Sequence, residues 1–79
     1  MSVRVRLFAA FREIAGVSAL DLPAEQARTV GEAWGRLLAR YPDLNHHAPS
    51  AAVNATYAAL NDAVRDGDEV AFLPPVSGG

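Results

Sequence analysis

The sequence predicts a small α+β domain in which one main helix covers one face of a mixed β-sheet. Three observations favour this fold class. Two segments near the N-terminus alternate apolar and polar residues, a central segment has the apolar spacing of an amphipathic helix, and a short apolar strand precedes a proline pair near the C-terminus. A chain of 79 residues has room for one domain only.

The first strand is predicted between residues 2 and 9. Its apolar positions Val3, Val5 and Leu7 are expected to face the core, because side chains at alternate strand positions share one face of a sheet. The same alternation places Phe8 on the opposite face, beside arginines. Phe8 is therefore interpreted in two ways, as a cover for the sheet or as part of a partner-binding patch.

A single helical turn and a second strand follow. Residues 11 to 15 predict the turn, with Gly16 as its C-cap. Residues 18 to 22 alternate again, and Pro23 ends this strand because it has no backbone N–H to donate. The short connection predicts that the two strands form an antiparallel hairpin.

The main helix has the clearest pattern in the chain. Thr29 and Glu32 have the spacing of a capping box, in which two side chains satisfy free backbone donors at a helix start. Gly35 lies inside the helix and is compatible with a close approach to the sheet. The predicted core face ends before Pro42 and consists of Val30, Ala33, Trp34, Leu37, Leu38 and Tyr41, with Trp34 in a packing role.

A loop and two more strands complete the predicted fold. The loop, residues 43 to 50, carries His46 and His47, whose side chains diverge, so we expect no metal site there. One strand is predicted over residues 52 to 57, and a turn at residues 66 to 68 leads into the last strand, residues 70 to 73. A right-handed crossover through the helix places the last strand beside the first, which is the β-grasp arrangement.

The last six residues are predicted to form an extended tail on a globular unit of residues 1 to 73. Pro74 and Pro75 favour an extended backbone that leaves the sheet. Gly78 and Gly79 have no side chains and fit a narrow channel. Six extended residues reach about 20 Å, far enough to carry the Gly79 carboxylate into another protein. An inert chain end is the alternative interpretation.

Composition excludes several classes of function. Hydrophobic residues make up 51% of the chain and charged residues 20%, as in a globular domain. No apolar run approaches a membrane span and no signal peptide is evident, so we expect a cytoplasmic protein without a membrane partner. The net charge of −2 and scattered basic residues give no reason to expect nucleic acid. The chain has no cysteine, and all seven basic residues are arginines.

The C-terminal segment carries a family resemblance. Residues 66 to 79, DGDEVAFLPPVSGG, resemble the closing signature of the MoaD family of ubiquitin-like β-grasp sulfur carriers, the small subunits of molybdopterin synthase. Weaker similarity lies in residues 8 to 16, FAAFREIAG, and in residues 52 to 54. The prolines and Val76-Ser77 ahead of the glycines favour the molybdopterin branch over the thiamine-type carriers, which share the fold and the terminal glycines.

The resemblance implies a sulfur-carrying role for the C-terminus. A ubiquitin-activating-type adenylyltransferase would use ATP to adenylylate Gly79, and a sulfur donor protein would convert the adenylate into a thiocarboxylate. The tail, Pro74, Pro75, Val76, Ser77 and Gly78, would enter the large synthase subunit, where sulfur passes to cyclic pyranopterin monophosphate to build the dithiolene. The implied assembly is a heterotetramer of two large and two small subunits.

The resemblance also implies that this chain is not an enzyme by itself and binds no cofactor permanently. Its alignment with the family gives Phe8, Tyr57 and Leu73 as docking residues. Three alternatives remain open: a sulfur carrier for thiamine, amino-acid or tRNA thiolation, a ubiquitin-like protein modifier, and a binding domain with an inert tail.

Overall fold

The computed structural model of the chain describes residues 1–75. Within these residues the chain forms a five-stranded sheet and two α-helices, in the order β1 (Ser2–Leu7), α1 (Ala9–Ala15), β2 (Ala19–Pro23), α2 (Val30–Arg40), β3 (Ser50–Val53), β4 (Thr56–Ala58) and β5 (Glu69–Leu73). Short 3-10 helices at Ala24–Gln26 and Pro42–His46 flank α2.

The sheet is mixed, with the strand order β2-β1-β5-β3-β4. β1 pairs antiparallel with β2 and parallel with β5, while β3 pairs antiparallel with both β5 and β4. The last strand therefore lies beside the first, and the predicted β-grasp fold is confirmed. β5 occupies the centre of the sheet, so the backbone that leads into the C-terminal tail is held on both sides.

The core lies between α2 and one face of the sheet. Val3, Val5 and Leu7 are buried while the residues between them are exposed, as their alternation predicts. The indole of Trp34 lies 5.0 Å from the ring of Phe72, measured between centroids, and 5.2 Å from another aromatic ring, that of Phe11. These contacts confirm the packing role predicted for Trp34. Leu38 and Tyr41 are only partly buried at the edge of the core.

The start of α2 follows its sequence signal closely. Thr29 Oγ1 accepts a hydrogen bond from the backbone N of Glu32 at 3.0 Å. The Glu32 carboxylate accepts from the backbone N of Arg28 at 2.9 Å, one residue earlier than in the usual reciprocal box. Each of these bonds satisfies a backbone donor at the point where the helix begins.

The prediction of a close approach at Gly35 is wrong. A Cβ added to Gly35 would meet nothing within 4 Å, because this position faces solvent. The close approach is made at Gly31, where a Cβ would lie 3.1 Å from the carbonyl oxygen of Leu60. The backbone N of Gly31 donates to the same oxygen at 2.7 Å, so the glycine lets the chain segment around Leu60 approach the start of the helix.

Two local predictions of the N-terminal half need small changes. α1 begins at Ala9, two residues before the predicted helical turn, and β1 correspondingly ends at Leu7. The C-cap at Gly16 is confirmed, since this residue has a left-handed φ of 78° and its N donates to Arg12 O at 2.9 Å.

The strand predicted over residues 52 to 57 is wrong, because the structure has two strands there. Asn54 and Ala55 form a two-residue turn between β3 and β4, with left-handed φ values of 49° and 71°. Asparagine tolerates this conformation, and the Asn54 side chain is hydrogen-bonded to Asp68 and to the backbone of Glu69. The chain therefore reverses here without a glycine. The reversal places Tyr57 on an edge strand, opposite Ala52.

The predicted loop of residues 43 to 50 also contains regular structure. Its first residues belong to the 3-10 helix Pro42–His46, and Leu44 in that helix is fully buried. The ring of His47 packs edge-on against Phe11, with 5.4 Å between centroids.

Candidate functional site

The sheet face opposite α2 is open and divides into a charged half and an apolar half. In the charged half, Arg4 Nε lies 2.7 Å from Asp21 Oδ1, and Arg6 Nη1 lies 3.8 Å from Glu69 Oε2. The hydrogen bond to Asp21 and its negative charge raise the pKa of the Arg4 guanidinium. These two pairs link β2, β1 and β5 across the open face.

The apolar half forms a groove of about 320 Å³ beside the end of β5. We call it the docking groove; its lining residues are Phe8, Ala52, Ala55, Tyr57, Glu69, Ala71 and Leu73. All three residues that the family resemblance gives as docking residues lie in this lining. Tyr57 is 82% exposed and Phe8 36% exposed, and the two line the same groove, so their exposed apolar surfaces lie together. Three alanines among the lining residues leave room between the larger side chains.

The position of Phe8 depends on how β1 ends. Its backbone N donates to Phe72 O at 3.3 Å, which ties the end of β1 to β5. The next residue, Ala9, has a left-handed φ of 52°, a conformation that costs a non-glycine residue about 1–2 kcal/mol. This turn directs the chain into α1 immediately after Phe8. The guanidinium of Arg6 lies over the Phe8 ring, 5.7 Å from its centroid.

The C-terminal tail leaves the sheet next to the docking groove. Leu73, the last residue of β5, pairs with Ser50 of β3, and Pro74 and Pro75 continue beyond the strand. The prediction that the sheet ends at Leu73 is confirmed. The remaining residues assigned to the tail and to the reactive terminus, Val76, Ser77, Gly78 and Gly79, lie outside the described residues.

A hydrogen-bonded brace holds the start of β5. Asp68 accepts from the backbone N of Arg65 at 2.9 Å and from Asn54 Nδ2 at 3.0 Å, and these bonds, the first more strongly, lower the pKa of its carboxyl. Asn54 Oδ1 also accepts from the backbone N of Glu69 at 3.0 Å. The brace ties the β3–β4 turn to the strand that carries the tail. Sequence reasoning missed it, although an asparagine between two strand-like segments is a turn signal.

No group of three or more histidine, cysteine, aspartate or glutamate side chains within residues 1–75 is arranged to hold a metal ion. No helix in the same range is long and apolar enough to cross a membrane.

Comparison with known proteins finds similarity over the full chain. The ThiS family matches residues 5–79. The molybdopterin synthase sulfur carrier subunit of Haemophilus influenzae is 39% identical over 82 residues, which cover 98% of this chain and 99% of that protein. Among solved structures, SAMP1 from Haloferax volcanii is 32% identical with a TM-score of 0.82, and all of both chains is covered. A chain in the complex of subunits 1 and 2 of the molybdopterin-converting factor from Helicobacter pylori is 27% identical, with a TM-score of 0.67 and full coverage of both chains.

Proposed function

The chain belongs to the ThiS family, and we propose that it is the sulfur-carrier small subunit of a molybdopterin synthase. The observation that carries the proposal is the end-to-end similarity to proteins named molybdopterin synthase sulfur carrier subunit. The docking groove beside the end of β5 supports it, because it offers a protein contact next to the segment that leads to the glycines.

The proposed chemistry takes place at the carboxylate of Gly79. A carboxylate is a poor electrophile, so an adenylyltransferase of the ubiquitin-activating type first joins it to AMP, with ATP as the substrate and pyrophosphate as the other product. Sulfur at the oxidation level of sulfide, delivered by a donor protein, then attacks the carbonyl carbon, AMP leaves, and a thiocarboxylate remains. Like a thiolate, this group is ionised near neutral pH and nucleophilic.

The sulfur acceptor in this proposal is cyclic pyranopterin monophosphate. It is bound by the large subunit, which supplies the acid and base groups, while the present chain supplies the sulfur and no catalytic side chain. A dithiolene needs two sulfur atoms, so two transfers complete each product molecule. The corresponding assembly is a heterotetramer of two large and two small subunits, with no cofactor held permanently by the small subunit.

Docking of the small subunit is proposed to use Phe8, Tyr57 and Leu73. These side chains line one groove, and Leu73 is also the residue from which the tail departs. A partner that fills the groove is thus held next to the base of the tail. The tail, Pro74, Pro75, Val76, Ser77 and Gly78, then carries Gly79 into the partner's active site, and these six residues together reach about 20 Å.

The first experiment is an intact-mass measurement on the chain after incubation with the adenylyltransferase, ATP and a sulfur donor. We expect a mass increase equal to the replacement of one oxygen by sulfur, localised to Gly79. The control lacks Gly79; it should fold normally and remain unmodified. An unmodified wild-type terminus in the presence of active enzyme and ATP would contradict the proposal.

A second candidate function is a protein modifier, favoured by the close structural match to SAMP1. Because the chain contains no lysine, it could donate its C-terminus to another protein but could not accept a second copy on a lysine side chain. Gly79-dependent conjugates that survive reducing agent would support this function. A sulfur carrier for thiamine, amino-acid or tRNA thiolation would instead give the thiocarboxylate without sulfur transfer to the pterin.

A further inference from the structure

Arg6 lies at the boundary between the charged half of the open face and the docking groove. Its guanidinium is placed over the ring of Phe8 and beside the carboxylate of Glu69, and both of these residues line the groove. The side chain of Arg6 is 45% exposed, so a protein that docks in the groove comes within reach of it.

The contact between Arg6 and Glu69 is loose. Its nitrogen–oxygen distance of 3.8 Å exceeds the 2.7–2.9 Å typical of a charge-assisted hydrogen bond. Arg4, on the same strand and the same face, makes such a bond to Asp21 at 2.7 Å. Within residues 1–75, Arg4 therefore makes a close ion pair, whereas Arg6, at similar exposure, makes only a distant one.

Guanidinium chemistry indicates what Arg6 would bind. It presents five N–H donors in a rigid plane that matches the two oxygens of a carboxylate. The aromatic ring beneath it restricts its orientation, which lowers the entropy lost when a partner is bound. Arginine is also one of the residue types enriched among those that dominate interface energies.

We propose that Arg6 is a specificity-determining residue that donates to an aspartate or glutamate of the docking protein, in competition with Glu69. The partner surface then combines an apolar side chain, which fills the docking groove, with a carboxylate beside it. The inference rests on the proposed function only for the identity of the partner, the large synthase subunit.

The test is a binding titration of the purified chain with the molybdopterin synthase large subunit of its source organism, at low and high ionic strength. Arg6→Gln should weaken binding about tenfold at low salt, the effect of losing one charge-assisted hydrogen bond, and should reduce the salt dependence. The matched control Arg4→Gln removes the same charge from the same strand, and its affinity should stay within about twofold of wild type. Arg6→Lys should retain the salt dependence with intermediate affinity, because it keeps the charge but loses the planar fork.

Glu69→Gln gives the most discriminating result. If Glu69 competes with the partner carboxylate, removing its charge strengthens binding at low salt. If the pair between Arg6 and Glu69 serves only to hold the sheet together, the same change weakens binding, and the inference is overturned.

Other outcomes also decide the question. Equal affinity and equal salt dependence for wild type and Arg6→Gln would overturn the inference while leaving the proposed function intact. Equal losses for Arg4→Gln and Arg6→Gln would overturn it as well, since they would reflect net charge alone. A wild-type chain that fails to bind the large subunit overturns the proposed function together with this partner. If Arg6→Gln does not fold, Arg6→Lys decides, because unchanged affinity for this variant excludes use of the guanidinium fork.

Discussion

The two glycines of α2 have different surroundings and should respond differently to the same substitution. Gly35 faces open space, so Gly35→Ala should raise the free energy of unfolding by about 1 kcal/mol through the higher helix propensity of alanine. For a domain of this size that corresponds to a rise of about 4–8 °C in Tm. Thermal unfolding followed by circular dichroism measures the change.

Gly31→Ala is the matched control within the same helix. Its new methyl group would lie 3.1 Å from the carbonyl oxygen of Leu60, so the neighbouring segment has to move and part or all of the propensity gain is lost. An equal rise in Tm for the two variants would show that the approach of Leu60 does not constrain the helix.

Individual residues were predicted well where a local pattern decides their environment. Alternation placed Val3, Val5 and Leu7 in the core, and helical spacing did the same for Trp34. The roles of Gly31 and Gly35 could not be predicted in this way. They depend on where residue 60 lies after folding, which no pattern within the helix encodes.

The β3–β4 hairpin shows why one strand boundary was missed. A two-residue turn with left-handed backbone is normally signalled by Asn-Gly or Asp-Gly, whereas this chain has Asn54 followed by alanine. The turn is stabilised from outside by Asp68 and by the backbone of Glu69, residues distant in sequence. Its existence therefore depends on tertiary contacts as well as on the local sequence.

The brace between Asn54 and Asp68 predicts a pH-dependent contribution to stability. The folded-state pKa of Asp68 is lowered from its usual value of 3.8 by hydrogen bonds, first from the Arg65 backbone and then from the Asn54 amide. A lowered pKa means that the contribution is fully present above the unfolded-state value and is lost as pH falls through the folded-state value. Wild type should therefore lose this contribution below about pH 4.

Asp68→Asn tests the brace, because one amide oxygen cannot replace the two carboxylate oxygens that accept hydrogen bonds. Urea unfolding should show the variant to be less stable at pH 7, with a difference that shrinks at pH 3 and below. Asp66→Asn removes the same charge from the same turn and should show a smaller difference at pH 7. A difference between Asp68→Asn and wild type that stays constant with pH would exclude the brace as its source.

The two faces of the sheet differ in what they contact: one packs against α2 and forms the core, and the other carries the groove that we propose for docking. The position of β5 beside β1 and the helix that covers the sheet follow from sequence periodicity together with the preferred handedness of crossovers, whereas β4 was not predicted. The grouping of Phe8, Tyr57 and Leu73 in one groove came from the family resemblance, since exposed aromatic residues on separate strands carry no local signal of their proximity. Tyr57 in particular reaches the groove only because the unpredicted turn places it opposite Ala52.

This division between faces predicts opposite effects for two phenylalanines that lie close together at the ends of adjacent strands. Phe8→Asp should weaken binding to the large subunit strongly, because it removes an aromatic ring from the docking groove and introduces a charge that must be desolvated when the partner docks. The fold should tolerate it, since Phe8 is an exposed N-cap with extended backbone, a position that aspartate favours. Phe72→Leu trims a fully buried ring and should lower the free energy of unfolding by about 1–3 kcal/mol while leaving binding unchanged. Binding titration and urea unfolding of both variants measure the two effects. The separation of the two faces would be contradicted by a Phe8→Asp variant that unfolds. It would also be contradicted by a Phe72→Leu variant that folds but does not bind.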